Sequence, residues 1–250
     1  MNKKLVIIVI VLTLILIIFF FYCRYPSVAI LGYHNFTENN ESTDDLTIPI
    51  NQFEEQLQYL KENHYYTLSL DELYQYKQGK KKIPIKSVLI TMDDGYQSNY
   101  DLAFPLLKKY NMKAVVFYIG ENIEKNDKNY MSKEILEKVK TEYPNIEIAS
   151  HTYQLHKKGS IEKDKEELEE DFNKMDTIIS TKYLAYPYGD HNKKIKEILK
   201  ERKYKLAFTF GPNKEHRKMQ YFDSNYEIPR LNISNNMPLW KFALRIQLPF

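Results

Sequence analysis

The chain is predicted to be an α/β protein built on a parallel sheet, and three features point there. Short runs rich in Val, Ile, Phe and Tyr alternate with stretches whose apolar residues recur every three or four positions, as strands do with crossover helices. The 250 residues are enough for one core of open-sheet or barrel size, with no repeat beyond that alternation. One run, Val88-Leu89-Ile90-Thr91-Met92-Asp93-Asp94-Gly95-Tyr96, leads straight into two acids and a glycine. A parallel strand delivers functional groups in this way at its C-terminal end. Alternation alone does not decide between an open sheet and a barrel.

Taken in order, Leu5 to Tyr22 is apolar except for Thr13 and follows Lys3 and Lys4. About 18 residues at about 1.5 Å rise span about 27 Å, close to a bilayer's hydrocarbon thickness. No Ala-x-Ala cleavage site follows, so residues 1–24 are read as an uncleaved transmembrane anchor and 25–250 as one soluble domain outside the cytoplasm. A cleaved signal peptide is the alternative. Cys23 is the only cysteine, which excludes an internal disulfide or a Cys-based zinc site, and Tyr22 before it argues against lipidation. Lys plus Arg number 36 against 33 for Asp plus Glu, a net charge of +3. That balance, with no basic stripe interleaved with aromatics, argues against a nucleic-acid partner. Lys80 to Lys82 reads as a solvated loop.

The first strand of the domain is Val28 to His34, followed by a polar loop from Asn35 to Leu46. A helix opens at Ile50 with Phe53, Leu57 and Leu60 on one face. Tyr66 to Leu68 is a strand, Ser69 and Glu72 form a capping box, and Gly79 ends the next helix. Beyond Gly95 come a loop, a helix over Asp101 to Tyr110, a strand over Ala114 to Ile119 and a helix over Ser132 to Val139. A second strand with polar residues at its end follows, Ile146-Glu147-Ile148-Ala149-Ser150-His151-Thr152-Tyr153-Gln154-Leu155-His156. Ser160 is expected to cap an acidic helix, Ile161 to Ile179, with a solvated charged face. Strands over Lys182 to Tyr186, Leu206 to Phe210 and Ile228 to Ile233, and a helix over Lys193 to Arg202, complete the domain.

Two acids at the end of an apolar strand cost desolvation unless a cation offsets it. Successive strand residues point to opposite sides, so Asp93 and Asp94 need not share a task. One Asp with two His is a metal set that leaves positions open for water and substrate, which suits Zn²⁺ and also admits Co²⁺, Ni²⁺ or Fe²⁺.

Thr91-Met92-Asp93-Asp94-Gly95 together with Ser150-His151-Thr152 and His156 resembles the polysaccharide deacetylases of the NodB-homology type, carbohydrate esterase family 4. The six-residue frame from His151 to His156 is similar to the branch acting on poly-β-1,6-N-acetylglucosamine. The likeness runs from about Val28 to Ile233. It implies a distorted, incomplete (β/α) barrel of about seven strands. By that resemblance, Asp94, His151 and His156 hold a divalent metal and Asp93 is the general base. The backbone N–H of Tyr188, in Tyr186-Pro187-Tyr188-Gly189, faces the oxyanion. Tyr186, Tyr188 and Trp240 are further candidates for stacking on sugar.

Two signatures depart from the family pattern. Ala185 stands where many members carry an arginine that steers the catalytic Asp, and Arg230 is the candidate to replace it. The family's C-terminal Leu-x-His, which supplies the general acid, has no match. His191 and His216 lie in other contexts, so His34 or the water network at the metal would protonate the leaving amine. The expected function is metal-dependent removal of acetyl groups from a cell-surface β-linked N-acetylglucosamine polymer. The rivals are a peptidoglycan deacetylase and an inactive glycan-binding module on the same scaffold. No protein partner is indicated.

Overall fold

Helix α1 (Lys3–Arg24) stands clear of the domain, with mean hydropathy 3.3 over its most apolar window. It is long and apolar enough to cross a membrane, a test that a signal sequence also passes. The computed structural model describes residues 3–39, 44–125, 127–210 and 217–248. Past α1 the order is β1 (Ala29–Tyr33), β2 (Asn35–Thr37), β3 (Thr47–Pro49), α2 (Ile50–Glu62), β4 (Tyr66–Thr67), α3 (Leu70–Lys77) and β5 (Ser87–Asp94). Then come α4 (Phe104–Lys109), β6 (Ala114–Tyr118), α5 (Asn122–Lys125), α6 (Lys133–Glu142), β7 (Ile146–Ser150), α7 (Lys165–Ile178) and β8 (Tyr183–Ala185). The last elements are α8 (Lys193–Glu201), β9 (Leu206–Thr209), β10 (Ile228–Pro229), β11 (Leu231–Asn232) and α9 (Leu239–Gln247).

The main sheet is parallel throughout and runs β10-β9-β8-β7-β6-β5-β1-β11, with β4 beside the start of β5. Its two edge strands, β10 and β11, are halves of one extended stretch interrupted at Arg230. The first half pairs with β9 and the second with β1, so a single residue joins the sheet's edges. Counting that stretch once, β1, β5, β6, β7, β8 and β9 make up the rest of a seven-stave barrel, as expected.

Period-two alternation sorts each stave into inward and outward residues. Ile30, Leu89, Val115, Phe117, Ala149, Ala185, Phe208 and Ile228 form one buried cluster inside. Leu31, Val88, Ile90, Met92, Val116 and Leu231 pack outward with Phe53 and Leu57 of α2, Leu107 of α4 and Phe242 of α9. At the barrel's base, Tyr25 leaves α1 to pack on Tyr221 and Phe222, with ring centroids 4.5 and 5.5 Å away.

Several expectations need correction. Asn35 to Leu46 is not all loop, because β2 pairs in parallel with β3 from Asn35–Thr47 onward; residues 40–43 lie outside the described set. The helix expected over Asp101 to Tyr110 is split into a π-turn over Asn99–Ala103 and α4, and the Phe104 N–H reaches back to Asn99 O. Pro105 lacks the N–H that would continue an α-helical ladder to Asp101. Ser160 does not cap the acidic helix; Asp164 does, accepting from the Glu167 N–H, after a 3₁₀ turn over Ser160–Glu162. The strand expected over Ile228 to Ile233 is broken at Arg230 by the change of partner.

The capping box on α3 is present, and its Glu72 does more than cap. Its carboxylate also accepts from Lys81, Lys113 and Tyr66. Partial burial raises its pKa, but these donors and the Ser69 N–H outweigh it and hold the carboxyl well below the usual range. The unfolded value is about 4.3. Glu72 therefore stabilises the fold fully above that pH, and the gain is lost as pH falls toward the folded value. Glu72→Gln keeps the cap but loses the charge. Urea unfolding at pH 7 should show a loss of about 1–2 kcal/mol, narrowing at pH 3. An equal gap at both pH values would remove the ionic account.

Candidate metal centre and active site

The inward parity that fills the barrel also aims its polar residues at the C-terminal mouth. His34 continues the Ile30, Gly32 series, Asp93 the Leu89, Thr91 series, His151 follows Ala149, and Arg230 follows Ile228. Asp94 has the opposite parity and would face the helices in a straight strand. Its φ of +69° turns the strand's last residue instead, and Gly95 (φ +79°) continues the turn. A Cβ on Gly95 would stand 2.1 Å from the Tyr118 ring.

Asp94, His151 and His156 converge, each offering one ligand atom, all within 4.8 Å of one another. Asp94 Oδ1 lies 3.4 Å from His151 Nε2 and 3.2 Å from His156 Nε2. The His151 Nδ1–H donates to Ala185 O at 2.8 Å, so its Nε2 presents a lone pair to the cluster. Asp94 Oδ1 is buried and has no well-aligned hydrogen bond despite these short separations. Lone pairs facing one another across such gaps repel unless a proton or cation lies between them. Ligands at about 2.05 Å from a tetrahedral Zn²⁺ would be about 3.3 Å apart. The residues present therefore fit a divalent cation. Burial pushes the His151 pKa down, beyond what the two Asp residues restore, which keeps the imidazole neutral as a ligand must be. For Asp94, burial raises the pKa, but the surrounding imidazoles outweigh it and hold the carboxyl low.

Asp93 stands beside this cluster in a different setting. Arg230 grips it with both guanidinium nitrogens, Nη1 to Oδ1 at 2.7 Å and Nη2 to Oδ2 at 2.8 Å. Both residues are 1% exposed. Burial raises the Asp93 pKa, yet Arg230 outweighs it and keeps the carboxylate ionised. His34 Nε2 and His151 Nε2 each lie 3.9 Å from Oδ2. Phe210 holds this group from above: its ring lies 3.8 Å from the Arg230 guanidinium carbon and stacks on His34 at 5.8 Å. The ring has room because residue 32 is glycine, where a Cβ would fall 1.9 Å from it.

Tyr188 has φ +57° and places its ring 4.7 Å from that of His156. No acceptor for its backbone N–H is found among the described residues. Tyr186, expected to face sugar, is instead fully buried, stacked on His191 and bonded to Tyr226 O. It belongs to the outward side of β8. Trp240 is 68% exposed on α9. His216 lies outside the described residues.

Two supporting residues escaped the sequence reading. Phe210 is one, read only as a strand end. The other is Asp171, assigned to a solvated acidic face but 1% exposed. Its carboxylate accepts from the N–H groups of Tyr153 at 2.9 Å and Gln154 at 2.8 Å, pinning the loop between His151 and His156. A signal existed: Leu168, Asp171, Phe172 and Met175 recur at helical spacing and are the buried face of α7.

With the site in view, comparison with known proteins is specific. The polysaccharide deacetylase family model matches residues 80–207. YxkH of Bacillus subtilis strain 168, whose name assigns it as a polysaccharide deacetylase, is 31% identical over 222 residues, 87% of this chain and 75% of that one. The poly-β-1,6-N-acetyl-D-glucosamine N-deacetylase of Staphylococcus epidermidis is 32% identical over 200 residues, 74% of this chain and 67% of that one. In fold, the Streptococcus pyogenes deacetylase PplD superimposes with a TM-score of 0.76 over 89% of this chain and 99% of its own, at 23% identity.

Removing Asp171 should loosen the histidine loop. Asp171→Ala leaves the buried Tyr153 N–H and the half-buried Gln154 N–H without an acceptor, a loss of about 2–4 kcal/mol in chemical unfolding. Zn²⁺ affinity measured by calorimetry should fall at least about tenfold, as for other residues that support metal ligands. Asp171→Asn keeps one acceptor and should fall between. Unchanged Zn²⁺ affinity in both would show that the loop holds its shape without this carboxylate.

Proposed function

The chain belongs to the polysaccharide deacetylase family and is an N-deacetylase; from that premise we propose that it acts on a cell-surface polymer of β-linked N-acetylglucosamine, of the poly-β-1,6 type, with a bound divalent metal, Zn²⁺ first among those the donors suit. The observation that carries the reading is the Asp94–His151–His156 cluster, its first two members buried and His156 half-buried, with a second, independently oriented carboxylate beside it. A divalent cation held by these three residues supplies a lowered pKa for water and a pull on the amide carbonyl. Asp93 takes the proton from the attacking water. Its two oxygens keep lone pairs beyond those used by Arg230, and the guanidinium fixes their direction. The pairing makes Asp93 a weak base, tolerable only where the water is acidified. Tyr188 offers its N–H to the developing oxyanion, and His34, whose Nε2 lies 3.9 Å from Asp93 Oδ2, donates a proton to the departing amine.

The substrate assignment rests on the named staphylococcal relative together with the His151 to His156 frame. An inactive glycan-binding module has no use for a carboxylate held by a buried arginine beside a metal cluster. We further propose that α1 remains as an anchor, with the domain from residue 25 outside the cell. Product analysis decides between poly-β-1,6-N-acetylglucosamine and purified wall glycan.

Acetate release by the metal-loaded protein tests the chemistry. Asp93→Asn should lower kcat by about 10²–10⁴ while still binding Zn²⁺. His156→Ala should lose both activity and the rise in Tm that Zn²⁺ gives the wild type. Chelation should abolish release, and re-addition of Zn²⁺ should restore it. An Asp93→Asn protein as active as wild type would end the general-base assignment.

A further inference from the structure

We infer that the trough on the Tyr96 side of the metal-ligand cluster is a subsite for the sugar residue adjacent to the one being deacetylated, an inference that rests on the polymer reading above. The trough measures about 750 Å³, within the range of small-molecule sites. It lies among the segments that follow β1, β5 and β6, on the barrel face where the cluster opens. Other described grooves lie elsewhere: one near Leu136 and Ile178 between α6 and α7, another near Thr67 and Asn145 at the strands' starting ends.

Tyr96 connects trough and cluster. It stands two residues beyond Asp94 on the turn through Gly95, and its ring stacks on Tyr130 with centroids 5.0 Å apart and planes 25° from parallel. The two tyrosines also form an isolated antiparallel bridge, and the Gln97 N–H donates to Asn129 O at 2.7 Å. These bonds hold the two walls at a set separation. A ring seated in the trough therefore lies against a side chain carried on the same turn as Asp94.

The lining chemistry suits an uncharged pyranose. Gln97 Nε2 donates to Asp101 Oδ1 at 2.9 Å, which orients the amide and leaves Gln97 Oε1 and Asp101 Oδ2 as acceptors. The Asn129 amide and the Lys128 ammonium make no side-chain hydrogen bond or ion pair among the described residues. Donors and acceptors thus stand around an aromatic wall, matching ring hydroxyls in the plane of a sugar and C–H groups on its face. Lys128 is opposed by Asp101, so the surplus of positive charge that a phosphorylated ligand would require is missing. The binding energy of a neighbouring residue can be spent here on holding the reacting acetamide over the cluster.

The test uses the full-length, Zn²⁺-loaded protein and β-linked N-acetylglucosamine oligomers from dimer to pentamer. For the wild type, kcat/KM should rise with length. In Asp101→Ala, Lys128→Ala and Tyr130→Ala, the ratio of kcat/KM for pentamer over dimer should fall about tenfold, mainly through KM. Pentamer Kd is measured in parallel by calorimetry. Asp101 and Lys128 are surface residues, so their variants decide if Tyr130→Ala unfolds. Variants that keep the wild-type length dependence and Kd would overturn the subsite. If the wild type binds pentamer, loses that binding in the variants and yet releases no acetate, the subsite stands and the deacetylation of this polymer does not.

Discussion

The bidentate contact between Arg230 and Asp93 is the interaction on which both the barrel and the site depend. Each ion gives up hydration worth several kcal/mol on entering so dry an interior, and their attraction offsets this only in good geometry. The geometry is supplied by the barrel's closure. Arg230 is the residue at which one extended stretch leaves β9 and joins β1, so its backbone is held from both sides. Its guanidinium lies between Phe210 at 3.8 Å and Phe117 at 5.5 Å, and one nitrogen also contacts Thr91 Oγ1 at 3.3 Å. Breaking the pair would leave a bare charge in the core and loosen the seam at once.

Two adjacent acids can take separate tasks because their surroundings are kept apart. Asp93 looks into the barrel toward a permanent cation, while Asp94 is turned by its positive φ toward two imidazoles. Both pKa values are pulled down against burial, but by different partners. A cation bound to the cluster would draw on Asp94, His151 and His156 without competing for the Arg230 fork. Asp93 would therefore keep its orientation with a cation in place, which is what the proposed base requires.

Much of this was legible in sequence because it follows from periodicity and strand ends. Val88 to Asp94 and Ile146 to His151 announced both the buried strands and the polar residues at their mouths. Arg230 could be proposed because it follows a short strand and because the family resemblance called for an arginine that Ala185 does not supply. What stayed hidden depends on contacts far apart in the chain. Asp171 looked like one acid among many until α7 packed against the histidine loop. Phe210 looked like a strand residue, and its role appears only with Gly32 and Arg230 on either side. Parallel pairing of β2 with β3 was missed because three-residue strands carry too little pattern. The change of partner at Arg230 was missed because a continuous run shows no break.

The altered signature at Ala185 then has a physical explanation. The family's usual arginine at that position would enter the interior from β8, where Ala185 is buried beside Phe208 and its carbonyl accepts from the His151 Nδ1–H. Arg230 already donates to each oxygen of Asp93 from the seam between β9 and β1, packed between two rings. A second guanidinium would meet a carboxylate already matched in charge, and in that dry setting the surplus cation would destabilise the core. Only one of the two positions can hold an arginine. With the cation moved to the closing seam, residue 185 is left to pack tightly and to fix the tautomer of His151, a task its backbone performs and that a small side chain permits.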